Sequence, residues 1–406
     1  VTSTVAGVET VRRAATRFPG FDGLRAIAAL AVAATHAAFI SGFNVRSSTW
    51  GPYTARLDIG VAVFFVISGF LLYRPFVLAR FGQAPAPAPR AYFRRRLLRI
   101  YPAFWLALTA VILIPQLHGL SWQRPSWTSL LAHYSLTHIY FRAHVLGPLQ
   151  QSWTLATEIS FYAFLPVYAW VMRHTGHQAR RSLTTELAGV VILYSSSVAF
   201  RVWLFFGVAP RLNGMYNTWL PARFDLFAVG MFLAVVSAWW ATTRTDGGPS
   251  WLTNPALPWI SWALSALAFW YLSVGFGLDD PRNRGPVPTF SHAQQMWLQL
   301  FWGVVGFFLV APAVFGRQDH GLIRRFLTHR TMAWIGLVSY GVYLWHEAVI
   351  DLYLRLTEPV AFNSSFSRMT AFMVASTAVL AAVSYYALER PVLRLKDRPD
   401  RRSRAR

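Results

Sequence analysis

Residues 21–40 read FDGLRAIAALAVAATHAAFI, and the reading of this stretch decides the fold. It is long and apolar enough to cross ~30 Å of hydrocarbon, which takes about 20 helical residues. Yet it carries Asp22, Arg25 and His36. At ~100° per residue, the eleven steps from Arg25 to His36 return within ~20° of one direction, and Asp22 lies within ~60° of Arg25. Three ionisable groups on one stripe of an apolar helix are costly against lipid. The stripe is therefore expected to face protein or a water-filled cavity, which makes it the first candidate site.

The rest of the chain extends the same pattern. Of 406 residues, 55% are hydrophobic and 13% charged, with mean hydropathy +0.36; a soluble chain carries about 25% charged residues. Eighteen Trp, 16 Tyr and 31 Phe suit interfacial belts and a packed bundle. Apolar runs recur at 22–41, 57–78, 100–117, 152–172, 185–206, 222–240, 256–274, 297–315, 333–354 and 367–388. The expected fold is all-α, a polytopic membrane bundle of about ten transmembrane helices. With the N-terminus inside, the inner segments hold 26 basic residues and the outer loops 9, an asymmetry that predicts both termini in the cytoplasm. The expected organisation is a cytoplasmic segment 1–21, a transmembrane domain 22–388 and a basic cytoplasmic tail 389–406. No short apolar stretch near the start ends in a small-residue cleavage site, so the first run reads as a retained helix. APAPAP (84–89) reads as extended polyproline II. Segment 118–151, the longest outer segment, has room for short helices and holds four of the eleven His, which read as solvated.

Charge and cysteine content exclude several functions. The net charge of +22 comes from 37 Arg and one Lys, Lys396. Their clusters lie between apolar runs, where membrane orientation places them, so nucleic acid is not an expected partner; the lipid bilayer is. Cys is absent, which removes disulfides, thiolate zinc sites and acyl-thiol intermediates from consideration.

Counting ~1.5 Å per helical residue from the inner side puts His36, Glu158 and His346 at about the same depth, roughly 20 Å, with Asp225 slightly higher. One site in the outer half of the bundle is expected from that coincidence. A second set, Asp22, Arg25, Arg74, Arg95, Arg96 and Arg99, gathers at the inner mouth, where guanidinium groups match phosphate charge and geometry. The Arg94–Arg99 run also serves as an inside-positive flank, and a membrane His or Ser339 also serves to bond helices together. The layout fits a phosphate-bearing donor entering from within and an acceptor met from outside. Ser68, Trp153, Arg223, Asp225, Ser339, Tyr340 and His346 are candidates for supporting the site or binding that acceptor.

Seven blocks, in order, resemble the acyltransferase 3 family of multi-pass membrane enzymes. They are FDGLRAIAALAVAATH (21–36) with its Arg25-x10-His36 spacing, GVAVFFVISGFLLYRPF (60–76), YFRRRLLRIYPAFW (92–105), SWTLATEISFYAFLP (152–166), RFDLFAVGMFLA (223–234), SYGVYLWH (339–346) and SYYALERPVLR (384–394). Ala62 stands where many members carry Asp, Thr154 replaces a usual Ser, and Ile159 replaces a common acidic residue. The resemblance implies transfer of an acyl group, usually acetyl, from cytoplasmic acyl-CoA to a hydroxyl of a sugar, glycolipid or other cell-envelope glycoconjugate at the plasma membrane. No bound cofactor is implied; acyl-CoA is a co-substrate. His36 is then the expected general base, with Glu158 orienting it, stabilising the imidazolium or binding sugar hydroxyls, and Arg25, Arg74, Arg95, Arg96 and Arg99 holding the donor. The chain ends soon after the tenth run, so a hydrolase-like domain fused to some members is expected on a separate protein. Two other readings of the same buried charges are a transporter or flippase of a polar lipid or drug, and a metal enzyme using His36, His346 and Glu158 as ligands.

Overall fold

The computed structural model describes residues 18–119, 123–145, 147–175, 183–208, 214–243, 254–285, 289–316, 320–357 and 362–395. Most of the expected segment 1–21 and residues 396–406 of the expected tail lie outside the described residues. Among those described there is no strand, and ten long helices form the architecture: α1 Gly20–Ile40, α2 Ile59–Arg80, α3 Pro89–Leu113, α4 Trp153–His174, α5 Leu183–Gly207, α6 Leu220–Thr243, α7 Leu257–Val274, α8 His292–Val314, α9 Arg330–Thr357 and α10 Phe366–Ser384.

Nine of the ten are long and apolar enough to cross a membrane, and the chain is a multi-pass membrane protein. The exception by composition is α9, which carries His346, Glu347 and Asp351. Its polar face is accommodated because the helix is internal: Ser339, Tyr343, His346 and Leu354 on it are all buried. Lipid-facing helices show the opposite pattern. Trp259, Ile260, Leu267 and Trp270 on α7, and Val379 and Val383 on α10, are exposed.

The two most extensive helix packings are α2 with α6 and α1 with α9, and α1 against α2 joins them. Small residues set these approaches, as expected where lipid supplies no hydrophobic drive between helices. A Cβ at Gly69 would strike the carbonyl of Phe227, and one at Gly230 would strike that of Val66, so α2 and α6 interlock backbone to backbone. A Cβ at Gly336 would strike the carbonyl of Asp22, which brings α9 against the start of α1.

Two local expectations are corrected. The third run, placed at 100–117, is a helix that starts eleven residues earlier, at Pro89. Pro89 suits the first helical turn, where its missing N–H would have no partner, and Ala88 before it is extended (φ −67°, ψ 126°). The arginines at 94–99 are therefore helical and project from fixed positions. Segment 118–151 holds the short helices that its length allows, a helix at Trp127–Tyr134 and short 3-10 turns, but not all its histidines are solvated. His133 and His138 are each 1% exposed, with rings stacked 4.5 Å apart. His133 Nδ1 bonds the Ser129 carbonyl at 2.8 Å.

Two outcomes follow from this packing. Gly69→Leu forces α2 and α6 apart and is expected to cost about 1–3 kcal/mol, the range for overpacking, read as a lower melting midpoint in detergent. Burial lowers the pKa of His133, and that of His138 to about 3. Both are thus held neutral, and the stability they confer is complete above the unfolded value of about 6.5 and is lost as pH falls below it. Limited proteolysis of segment 123–145 is expected to accelerate between pH 7.5 and 5, and His138→Phe to flatten that dependence.

Candidate functional site

His36 lies near the C-terminal end of α1, and α9 brings His346 against it. His36 Nδ1 is 2.7 Å from His346 Nε2, and the two rings are stacked at 5.0 Å. The hydrogen-bond chain assigns the tautomers. His346 Nδ1 is 3.2 Å from the Val342 carbonyl, which can only accept, so Nδ1 carries the hydrogen. Nε2 of His346 is then bare and accepts from His36 Nδ1–H. That leaves the lone pair of His36 on Nε2. Glu347 Oε1 is 3.4 Å from His36 Nδ1. His346 is fully buried, whereas the side chains of His36 and Glu347 are 32% and 22% exposed. A polarised imidazole therefore reaches an accessible space, backed by a buried one.

Glu158, the carboxylate expected beside His36, bonds elsewhere. It accepts from Ser68 Oγ at 2.6 Å and Tyr162 OH at 2.8 Å. It lines a cavity of about 90 Å³ together with Arg25, Arg96, Arg99, Ser68, Thr154 and Tyr343, room for several waters. Ser339 and Tyr340 line it too, with their hydroxyls turned to the backbone carbonyls of Gly336 and Ile100. Arg25 pairs with Asp22 at 2.9 Å on the next turn of α1. The guanidinium groups of Arg25, Arg96 and Arg99 thus converge on one space with Glu158. Tyr343 closes the opposite end: its hydroxyl donates to the Gln151 carbonyl at 2.8 Å, and its ring packs 5.8 Å from that of His346. From Arg25 to His36 the axial rise along α1 is about 16 Å.

The other candidates separate from this cavity. Arg74 is buried, bonds Ser237 at 3.1 Å and lies 5.0 Å over the Phe18 ring, and Arg95 is exposed; neither lines the cavity. Asp225 is in an ion pair with Arg201 at 2.8 Å, both 3% exposed. Removing one partner of such a pair strands a buried charge, so this carboxylate holds α5 to α6. Arg223 donates to Gln299 at 2.8 Å and lies 5.2 Å over Trp153. Sequence reasoning missed Glu347, Tyr343 and Tyr162. A signal for Glu347 was present, since LWHEAVID places two carboxylates one turn apart in an apolar run; which of them meets His36 depends on how α9 is rotated.

His36, His346 and Glu347 offer ligand atoms within 4.8 Å of one another, a set with the donor types of a transition metal. In the arrangement seen, the 2.7 Å contact uses the His346 lone pair that such an ion would need. Glu158, the third ligand expected from sequence, is on Ser68 and Tyr162 instead.

The family model described as "Acyltransferase domain" matches residues 18–386. The chain is 27% identical over 391 residues to "Putative peptidoglycan O-acetyltransferase YrhL" of Bacillus subtilis (strain 168), covering 92% of this chain and 54% of that protein. It is 25% identical over 402 residues to peptidoglycan O-acetyltransferase OatA of Listeria monocytogenes, covering 94% of this chain and 57% of that protein. The chain thus spans about half the length of the curated relatives it matches. No solved structure matches it.

Proposed function

The chain belongs to the acyltransferase 3 family, and we propose that it is a membrane O-acyltransferase that moves an acetyl group from cytoplasmic acetyl-CoA to a hydroxyl of a peptidoglycan-type envelope sugar. The observation that carries this reading is the ordered pair His346–His36, which leaves the lone pair on Nε2 of a His36 side chain that is 32% exposed. It lies about 16 Å along α1 from the clustered Arg25, Arg96 and Arg99. An extended pantetheine arm covers such a span, with the CoA phosphates on the guanidinium groups. The thioester would then reach His36 past Tyr343. The peptidoglycan acceptor is taken from the names of the two relatives.

In this mechanism His36 Nε2 takes the proton from the acceptor hydroxyl as its oxygen attacks the thioester carbonyl. His36 is then an imidazolium, stabilised by the Glu347 carboxylate 3.4 Å from Nδ1. The tetrahedral intermediate collapses, the C–S bond breaks, and the imidazolium returns its proton to the leaving CoA thiolate. The partner role first expected of Glu158 passes to Glu347. Glu158, held by Ser68 and Tyr162, instead places a negative charge in the cavity that Arg25 and Arg96 line. Both termini are then cytoplasmic, with the arginine cluster at the inner face and segment 118–151 at the outer.

The test is turnover by purified protein in lipid nanodiscs, with acetyl-CoA and a chitin pentasaccharide as acceptor. His36→Ala is expected to lower acetyl transfer by 10²–10⁴-fold, the usual contribution of a general base; undiminished transfer removes the proposal. Arg25→Ala is expected to raise the KM for acetyl-CoA about 10–100-fold, the equivalent of one lost charge-assisted bond, while the acceptor KM stays close to that of the wild type.

A further inference from the structure

Among the described residues, one group of three metal-ligating side chains has its donor atoms within 4.8 Å of one another: His36, His346 and Glu347. Contacts fix two of its edges. His36 Nδ1 is 2.7 Å from His346 Nε2 and 3.4 Å from Glu347 Oε1. Tetrahedral coordination at ~2.0–2.1 Å sets neighbouring donor atoms about 3.3 Å apart. The imidazole–carboxylate edge already has that length. The imidazole–imidazole edge falls short of it by roughly 0.6 Å.

Three further features suit an ion. His346 Nδ1–H is on the Val342 carbonyl at 3.2 Å, the outer bond that metal-ligating histidines usually make, and it leaves Nε2 bare. His346 is fully buried, whereas the side chains of His36 and Glu347 are 32% and 22% exposed. The group therefore has a closed floor and an open side, through which an ion with its water can enter. Two imidazoles and one carboxylate are also the donor set of three-ligand zinc sites that keep a fourth position open. Mg²⁺ and Ca²⁺ prefer oxygen shells.

We infer that this group binds a divalent transition ion such as Zn²⁺, in place of the hydrogen that bridges the two rings, and that the bound ion switches acyl transfer off. The chemistry follows from the tautomers. Without metal, His36 carries its hydrogen on Nδ1 and its lone pair on Nε2. Coordination takes the Nδ1 lone pair, so the hydrogen passes to Nε2. The neutral ring then has no lone pair for the acceptor hydroxyl. No proton is gained or lost; the ion sheds water for two nitrogens and one oxygen. His346 keeps its hydrogen on Nδ1. The ion also occupies Glu347, the carboxylate that stabilises the imidazolium. The inhibition rests on the acyltransferase reading; the binding does not.

The experiment titrates Zn²⁺, with Mg²⁺ as control, into the untagged full chain in nanodiscs by calorimetry. It also records the visible absorption of the Co²⁺ form, intense for tetrahedral and weak for hydrated octahedral Co²⁺. Wild type, His346→Ala, Glu347→Gln and His174→Ala are compared; His174, exposed at the end of α4, stands for ordinary surface histidines. The expected result is a Zn²⁺ site bound about 100-fold or more weakly in His346→Ala and Glu347→Gln, since loss of an outer-shell partner alone costs about 10–100-fold. His174→Ala should match wild type. Acetyl transfer by wild type should fall as Zn²⁺ fills the site and return with EDTA. Thermal midpoints report folding, and Glu347→Gln keeps the side-chain shape should His346→Ala fail to fold. Equal Zn²⁺ affinity in wild type and Glu347→Gln, or no tetrahedral Co²⁺ band, overturns the site. Transfer that is unaffected by saturating Zn²⁺, or that requires it, overturns the inhibition. Absence of transfer by wild type with and without Zn²⁺ removes the acyltransferase reading and the inhibition with it, while calorimetry and the Co²⁺ spectrum still decide the site.

Discussion

Charged and polar groups cannot be left against lipid, and the interior of this protein is arranged around that constraint. Asp22, Arg25 and His36 on α1 require a polar neighbour along the whole helix. That neighbour is α9, the long helix too polar to count among the nine apolar ones. It meets the start of α1 through Gly336 and its far end through His346. The two helices need each other: neither buries its ionisable stripe alone.

From that pairing the division of the site into two ends follows. Near the start of α1, Arg25 joins Arg96 and Arg99 of α3 and Glu158 of α4 around a cavity. Near its end, His36 is backed by His346 and flanked by Glu347. Tyr343, tied to Thr154 at 2.7 Å and to the Gln151 carbonyl, stands between them. The helical start of α3 at Pro89 matters here, because a loop would not hold Arg96 and Arg99 one turn apart on a single face.

Much of this was legible in the chain. Apolar run length alone located the ten long helices, most of them to within a few residues, since a span must match the hydrocarbon thickness whatever its neighbours. The early start of α3 was missed because arginines read as flank, and only the continuity of backbone bonds from Pro89 onward includes them in a helix. The Arg25–His36 stripe was visible as a period. The arginines were harder to sort: Arg96 reaches the cavity, whereas Arg74, equally plausible by depth, is consumed by Ser237 and Phe18. Asp225 looked like a site carboxylate because Arg201, the group that occupies it, lies in another apolar run and had no local signal. His133 and His138 read as solvated because nothing in their immediate sequence discloses the shell that buries them.

The sequence by itself determined that this is a membrane bundle with an imidazole and a guanidinium on one inward stripe, because length, apolarity and the 3.6-residue period are properties of one helix at a time. Only the tertiary structure decided which carboxylate lies beside the imidazole. His36 and His346 are 310 positions apart, and depth along separate helices cannot say how each is rotated. Glu158 and Glu347 can sit at similar heights, and it is the close glycine-mediated approach of α9 to α1 that turns Glu347 toward His36, while Ser68 and Tyr162 claim Glu158.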